Sequence, residues 1–110
     1  VATTEDQDEL ILENTTTLKV ARWWNRACDI IPCNGGKDIG IQKILDYFNF
    51  NKEEAMAFGD GGNDISMLKY VGTGVAMGNA KDNVKAIADY ITDSVQEDGI
   101  VSALKHFEIL

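Results

Sequence analysis

The sequence has few of the features that mark membrane, secreted or zinc-bound proteins. No apolar run approaches the ~20 residues that span a bilayer. The stretch Val1–Asp6 has neither the basic region nor the apolar segment of a signal peptide. Two cysteines, Cys28 and Cys33, are not in Cys-x-x-Cys spacing and have no histidine or second cysteine pair nearby to complete a zinc site. We therefore expect two reduced thiols, a cytoplasmic location and no membrane partner.

Positive charge is also scarce, because 10 Lys and Arg face 18 Asp and Glu, a formal net charge of -8. Such a chain repels a phosphate backbone, which argues against nucleic acid as a partner. Acidity also has the ordinary explanation that it keeps a protein soluble. Hydrophobic residues make up 45% of the chain, too many for a disordered protein. An initiator methionine is absent, so we expect the chain to begin within a longer protein.

The first 31 residues read as a helix followed by two strands. Residues 5–13 are acidic, with three apolar residues, Leu10 to Leu12, before the last glutamate, which predicts a short helix. Residues 15–24 are rich in β-branched and aromatic side chains and predict a strand. Asn25–Arg26 is a turn candidate, and Cys28–Ile31 is the next strand, antiparallel if the turn is tight.

From Lys37 onwards, helical and short apolar segments alternate, which predicts an α/β fold with a parallel sheet and flanking helices. A boundary near Pro32–Gly36 separates the two patterns. Three parallel strands leave a sheet edge unpaired, so we expect more chain to belong with this sheet. The predicted helices are 37–48, 64–70, 81–88, with Asn79 as a possible cap, and 99–107; the predicted strands are 55–58, 75–77 and 90–92.

An acidic loop, Gly59–Asp64, follows the first of these short strands. Ligands of open α/β sheets bind at the carboxyl ends of the strands, where Asp60 lies. The glycines let Asp60 and Asp64 face one point, and such carboxylates suit Mg²⁺ with phosphate oxygens. Asn63 near the helix start is able to donate to an oxyanion. The competing interpretation is a plain turn with Asn63 or Asp64 as a helix cap.

Lys37 opens a helix directly after Asn34–Gly36. A cation at a helix N-terminus is unfavourable, because the helix dipole is positive there. It becomes favourable when an anion such as phosphate sits between the lysine and the backbone N–H groups. The alternative is a solvated lysine, with Asp38 supplying the favourable charge. The spacing of a P-loop is absent.

Together these segments resemble the haloacid dehalogenase superfamily, specifically its Cof-type sugar and metabolite phosphatases. The late acidic motif Gly-Asp-x-x-Asn-Asp of that family stands at Gly59–Asp64, and its lysine motif falls on Lys37. The stretches Gly74–Ala80, Ala88–Thr92 and Glu97–Ile100 follow in the order typical of the family. The similarity covers residues 32–107 well and is looser before them.

The resemblance implies two domains: residues 1–31 as the last helix–strand–strand of an α/β cap, and residues 32–110 as the C-terminal half of a Rossmann-like hydrolase core. It implies hydrolysis of a small phosphorylated metabolite, a sugar phosphate by expectation, through an aspartyl-phosphate, with Mg²⁺ as cofactor. Asp60 is then a magnesium ligand, and Asp64 holds a metal-bound water or orients Asp60. Asn63 contacts the phosphoryl group, and Lys37 screens its charge.

The family's nucleophile lies in an Asp-x-Asp motif directly after the first strand of the core, and no Asp-x-Asp that follows a strand is found in this sequence. We therefore expect the missing N-terminal half of the same protein to be a partner of this chain, and we expect the chain alone to be inactive.

Two other functions stay open from the sequence. One is a non-enzymatic acidic α/β module that binds metal or regulates, as receiver domains do. The other is a related enzyme of the same superfamily, such as a phosphomutase or a sucrose-phosphate-type phosphatase. Arg22, Trp23 and Trp24 either contact a substrate or pack the cap sheet, and packing is the prediction.

Overall fold

A computed structural model describes the whole chain, residues 1–110. In chain order the elements are α1 (Asp8–Leu12), β1 (Leu18–Trp24), β2 (Ala27–Pro32), α2 (Lys37–Phe48), β3 (Met56–Gly59), α3 (Ile65–Tyr70), β4 (Thr73–Ala76), α4 (Asp82–Lys85), β5 (Tyr90–Ile91) and α5 (Gly99–His106). Short 3₁₀ turns lie at Glu5–Gln7, Lys52–Glu54, Gly62–Asp64 and Val95–Glu97.

Strands β1 and β2 form the predicted antiparallel hairpin, with Leu18 opposite Pro32 and Ala21 opposite Asp29. Strand β1 begins three residues later than the β-branched run predicts. The N–H of Thr17 donates to Oγ1 of Thr15 at 3.3 Å, a local bond that competes with an extended ladder.

The second sheet is parallel, as the alternation of helices and strands predicts, and its strand order is β3-β4-β5. Met56 pairs with Thr73 and Val75 pairs with Tyr90. Strand β4 is buried from Gly74 to Ala76, because helices and both neighbouring strands surround it. Strands β3 and β5 are the two edges of this sheet.

The predicted helices are confirmed, but helix α4 is shorter than expected. Residues 81–88 have helical periodicity, yet the α-helix covers only Asp82–Lys85. The following N–H groups make long 3.4 Å bonds three residues back, and the N–H of Asp89 turns to the carbonyl of Gly74 at 2.8 Å. Entry into β5 therefore ends the helix early.

The core lies between the parallel sheet and the helices that connect its strands. Its buried members are Ala57, Leu68, Val71, Ala76, Ala80 and Val84. Ile41 of α2 and Ile65 of α3 pack against this cluster, which holds the N-terminal ends of both helices beside β3. None of the helices combines the length and the apolar character that crossing a bilayer requires.

The hairpin is packed directly on the loop after β3. A Cβ atom at Gly62 would lie 2.5 Å from the carbonyl oxygen of Arg22, so only glycine permits this approach. The Arg22 guanidinium is ion-paired with Asp8 and donates to the carbonyl of Thr3 at 2.9 Å. These contacts attach α1 to β1, and β1 to the acidic loop.

Candidate active site

Asp60 is the first residue after β3, at the carboxyl end of the parallel sheet. Its side chain is exposed, and Oδ2 accepts a hydrogen bond from Nδ2 of Asn79 at 3.3 Å. Asn79 lies in the loop after β4, the neighbouring strand. One carboxylate oxygen of Asp60 is thus held, and Oδ1 has no protein partner.

Asp64 is buried and uses both carboxylate oxygens inside the loop. Oδ1 is ion-paired with the ammonium of Lys37, while Oδ2 accepts the N–H groups of Asp60 at 3.0 Å and Gly61 at 3.1 Å. The carboxylate therefore turns back towards the loop instead of capping α3, whose N-terminus has no side-chain cap. A Cβ at Gly59 would lie 2.6 Å from Cβ of Asp64, so glycine at the end of β3 makes room for this arrangement.

The environment of Asp64 favours its charged form. Burial by itself raises the pKa of this carboxyl, but the Lys37 ammonium and the N–H groups of Gly61 and Asp60 outweigh burial. The pKa of Asp64 is consequently lower than that of an ordinary aspartic acid. Asp64 is a fixed anion at neutral pH that holds the shape of the loop.

Lys37 is the first residue of α2 and reaches Asp64 across the space between α2 and the loop. Its side chain is 50% exposed, against 7% for Asp64. The ammonium thus has one buried carboxylate partner and an accessible side. A second anion is able to approach that side without displacing Asp64.

Two concave spaces meet at Lys37. The groove at the carboxyl ends of the strands, about 450 Å³, has Lys37, Asp60 and Asp64 in its wall with apolar Phe58 and Met77. The cavity under the hairpin, about 550 Å³, is lined by Lys37 and Asn63. Its remaining lining residues are Lys19, Val20, Ala21, Arg22, Asp29, Ile31, Gly36, Gly62, Ile65 and Ser66.

The structure therefore brings Lys37, Asp60 and Asp64 together in one groove. Asn63 lines the neighbouring cavity, and Lys37 is the only residue that lines both spaces.

Asn79 contacts Asp60, and the sequence did not indicate this contact. We expected it to cap the following helix, and this prediction was wrong because the N-cap of α4 is Lys81. The Asn79 side chain points to Asp60 instead and also accepts the N–H of Val95 at 3.0 Å. The available sequence signal was a polar residue shortly after a strand. Which residue Asn79 contacts depends on how the loops after β3 and β4 approach each other.

The donor set fits part of a magnesium site. No three Asp, Glu, His or Cys side chains converge as they do in a complete metal cage. Mg²⁺ commonly takes only one or two carboxylates and completes its shell with water and phosphate oxygens. Asp60, with its free Oδ1 in an open groove, is suited to be such a carboxylate ligand.

The two tryptophans are less buried than packing within the hairpin predicts. Trp23 is 44% exposed and Trp24 49%. They border a small depression with Lys81 and Asn83, outside the groove that holds Asp60. Arg22 serves the internal ion pair with Asp8.

Comparison with known proteins agrees with the family resemblance of the sequence motifs. The sequence pattern of the haloacid dehalogenase-like hydrolases matches residues 2–104. A curated relative, the 5-amino-6-(5-phospho-D-ribitylamino)uracil phosphatase YitU of Bacillus subtilis (strain 168), is 44% identical over 89 residues, which are 78% of this chain and 33% of YitU.

Solved structures share the fold over almost the whole chain. The subclass IIB sugar phosphatase BT4131 superposes with a TM-score of 0.92 at 46% identity, over 97% of this chain and 41% of BT4131. BT1666 of Bacteroides thetaiotaomicron, described among phosphatases of the same superfamily, gives 0.92 at 38% identity over 99% of this chain and 41% of BT1666. The chain thus spans about two fifths of these structures and a third of YitU. It belongs to the haloacid dehalogenase-like hydrolase family.

Proposed function

We propose that this chain is the C-terminal part of a Mg²⁺-dependent phosphatase of Cof type, which hydrolyses small phosphorylated metabolites, sugar phosphates in particular. Relatives named as phosphatases and the likeness to a sugar phosphatase support the class of reaction. Residues 1–31 are assigned to the cap and residues 32–110 to the core. The unpaired thiols of buried Cys28 and exposed Cys33 are in keeping with a cytoplasmic location.

The observation that carries the proposal is the arrangement of Lys37, Asp64 and Asp60 in one groove. Asp64 satisfies the buried side of Lys37 and leaves the other side of the ammonium accessible. Asp60 stands at the carboxyl end of β3 with one free oxygen. A cation and a metal-binding carboxylate therefore flank the same space, which is what binding of a phosphate dianion requires.

Each residue then has a separate task. Asp60 would hold Mg²⁺, which supplies neutralisation of phosphate charge when bound. Lys37 attracts the phosphoryl oxygens, and Asn63 is assigned to donate to one of them from the adjoining cavity. Asp64 keeps the loop and the lysine in place. The nucleophilic aspartate, which forms the aspartyl-phosphate, is assigned to a segment outside this chain.

That segment also has a place to bind. The groove at the carboxyl ends of the strands is lined by Phe58, Met67 and Met77 as well as the charged residues, and the outer edge of β3 is unpaired. A parallel strand added there would bring its own carboxyl end beside Asp60. We therefore assign the partner role to the remaining part of the same protein.

The first experiment tests the chain alone. Purified 110-residue protein is incubated with p-nitrophenyl phosphate at saturating Mg²⁺, and release of p-nitrophenol is followed. We expect no turnover above the buffer rate, because the chain has no assigned nucleophile. Magnesium-dependent turnover, abolished by Asp60→Asn, would show that the nucleophile lies within these residues.

A chimera tests the catalytic assignment itself. The matching 41% of BT4131 is replaced by this chain, and hydrolysis of sugar phosphates is measured with and without Mg²⁺. We expect magnesium-dependent activity that falls by at least about 100-fold in Asp60→Asn, because a metal ligand is removed. Asp46→Asn makes the same chemical change on the exposed side of α2 and should leave the rate unchanged. Equal rates for both variants would reject Asp60 as the ligand.

A further inference from the structure

Asn79 joins three loops at the carboxyl end of the parallel sheet. Nδ2 donates to Oδ2 of Asp60 after β3, and Oδ1 accepts the N–H of Val95 after β5. Asn79 itself follows β4. One side chain therefore spans the ends of all three strands, and both of its functional atoms are occupied.

The backbone around Asn79 leaves it little freedom. The N–H of Gly78 donates to the carbonyl of Asp93 at 3.0 Å, and the N–H of Ala80 donates to that of Met77 at 2.9 Å. A Cβ at Gly78 would lie 2.7 Å from the backbone nitrogen of Ser94, so the loops after β4 and β5 are in close contact. The backbone hydrogen bonds around Asn79 therefore hold this residue in place beside Asp60.

The hydrogen bond from Asn79 orients the carboxylate of Asp60. An amide N–H group on Oδ2 leaves Oδ1 as the unpartnered oxygen of Asp60. Asp60 is exposed and its carboxylate makes no other hydrogen bond or ion pair, so without Asn79 no polar contact would fix its orientation. Hydrogen bonds of this kind fix the orientation of metal-binding carboxylates and contribute to affinity.

We propose that Asn79 is a positioning residue for Asp60, and that it couples the magnesium site to the loop after β5 through Val95. The proposal rests on the magnesium site put forward above. Asn79 does not touch the phosphate; it acts by holding one oxygen of Asp60 so that the other is presented to the metal.

The test is a Mg²⁺ titration of the ¹⁵N-labelled chain, followed by NMR at the amides of Asp60 and Gly61. We expect Asn79→Ala to weaken Mg²⁺ binding by about tenfold, as loss of an outer-sphere partner usually does. In the unmodified chain the side-chain NH₂ resonances of Asn79 should shift with the same dissociation constant. That measurement needs no variant and stands if Asn79→Ala fails to fold.

The Val95 end is tested separately. Val95→Pro removes the N–H that donates to Asn79 and also the valine side chain, and loss of the side chain alone is matched by Val95→Ala. Proline suits this position because Val95 opens a 3₁₀ turn and Ser94 before it is extended, with ψ 166°. We expect roughly two- to threefold weaker Mg²⁺ binding, since Asn79 keeps its bond to Asp60 but loses its support. Val95→Ala retains the N–H and should bind like the unmodified chain.

The outcomes separate the two proposals. Absence of any Mg²⁺-dependent shift at Asp60, both in the unmodified chain and in its chimera with BT4131, would overturn the magnesium site and the role of Asn79 together. Normal binding by a folded Asn79→Ala variant, or a static Asn79 side chain during titration, would overturn the positioning role and leave the magnesium site intact. Equal effects of Val95→Pro and Val95→Ala would remove the coupling to the β5 loop.

Discussion

At the scale of single residues, Asp64 determines the form of the acidic loop. Its two oxygens serve three donors, one from α2 and two from the loop itself. The glycines of the loop predicted that Asp60 and Asp64 would face one point, and the resemblance to the haloacid dehalogenase superfamily implied that Lys37 would lie at the same site. The sequence did not predict Asn79, because that bond depends on the loop after β4 lying against the loop after β5.

Replacement of Asp64 should destabilise the fold. Asp64→Asn is expected to lower the free energy of unfolding by about 1.5–3 kcal/mol at pH 7, because bonds to a charged group are lost and one amide hydrogen faces a donor. Urea denaturation followed by circular dichroism measures this, with Asp46→Asn as the control. A variant as stable as the control would mean that the loop reorganises without cost.

The same carboxylate makes stability depend on pH. The folded pKa of Asp64 is lower than the unfolded value of about 3.9, so its contribution is complete above that value and is lost as pH falls through the folded pKa. We expect the difference in stability between the unmodified chain and Asp64→Asn to shrink below about pH 4. Urea midpoints for both proteins across pH 3–7 check this. A stability difference that does not change with pH would show that the effect of the substitution does not come from ionisation of Asp64.

At the scale of secondary-structure elements, local hydrogen bonds determine where helices and strands end more than hydrophobic periodicity does. The order and type of the strands and helices were predictable, because apolar runs and turn residues alternate regularly. The early end of α4 was not, since Asp89 is drawn to Gly74 by the crossover into β5. Glycines are a further example, because whether a side chain would fit at a glycine depends on the neighbours that the fold brings to it.

Two glycines should respond to alanine in opposite directions. A Cβ at Gly40 in α2 would meet nothing within 4 Å, so Gly40→Ala is expected to stabilise by about 0.5–1 kcal/mol through helix propensity. A Cβ at Gly59 would press on Cβ of Asp64, and Gly59→Ala should destabilise by about 1–3 kcal/mol. Paired urea denaturation curves measure both. Changes of the same sign would contradict the packing at one of them.

At the scale of the whole molecule, the chain is thin and lightly buried. Its extents are 48 × 33 × 18 Å, and 15 of 110 residues are buried. The C-terminal end of α2 and the residues after it form an apolar patch, with Ile44 59%, Tyr47 83%, Phe48 62% and Phe50 56% exposed. Exposed apolar patches of this kind are typical of interaction surfaces and of surfaces that promote aggregation.

In isolation this patch should promote self-association. Sedimentation velocity is expected to show a mean mass that rises with concentration, and Phe48→Lys should lower it. Leu10→Lys likewise replaces an exposed apolar side chain by lysine, but on α1, where Leu10 is 70% exposed, and should have a smaller effect. A concentration-independent monomer mass would show that the patch is tolerated in water.

The order of the parallel strands also bears on how fast the chain folds. Strands β3, β4 and β5 lie side by side in the order in which they occur, so each one pairs with the next along the chain. Both crossovers close short stretches, which keeps the entropic cost of loop formation and the local contact order low. The segment from Met56 to Ile91 can therefore assemble early, ahead of any strand that joins the outer edge of β3 from a distant part of the protein. The acidic loop Gly59–Asp64 would then be shaped before any such strand arrives.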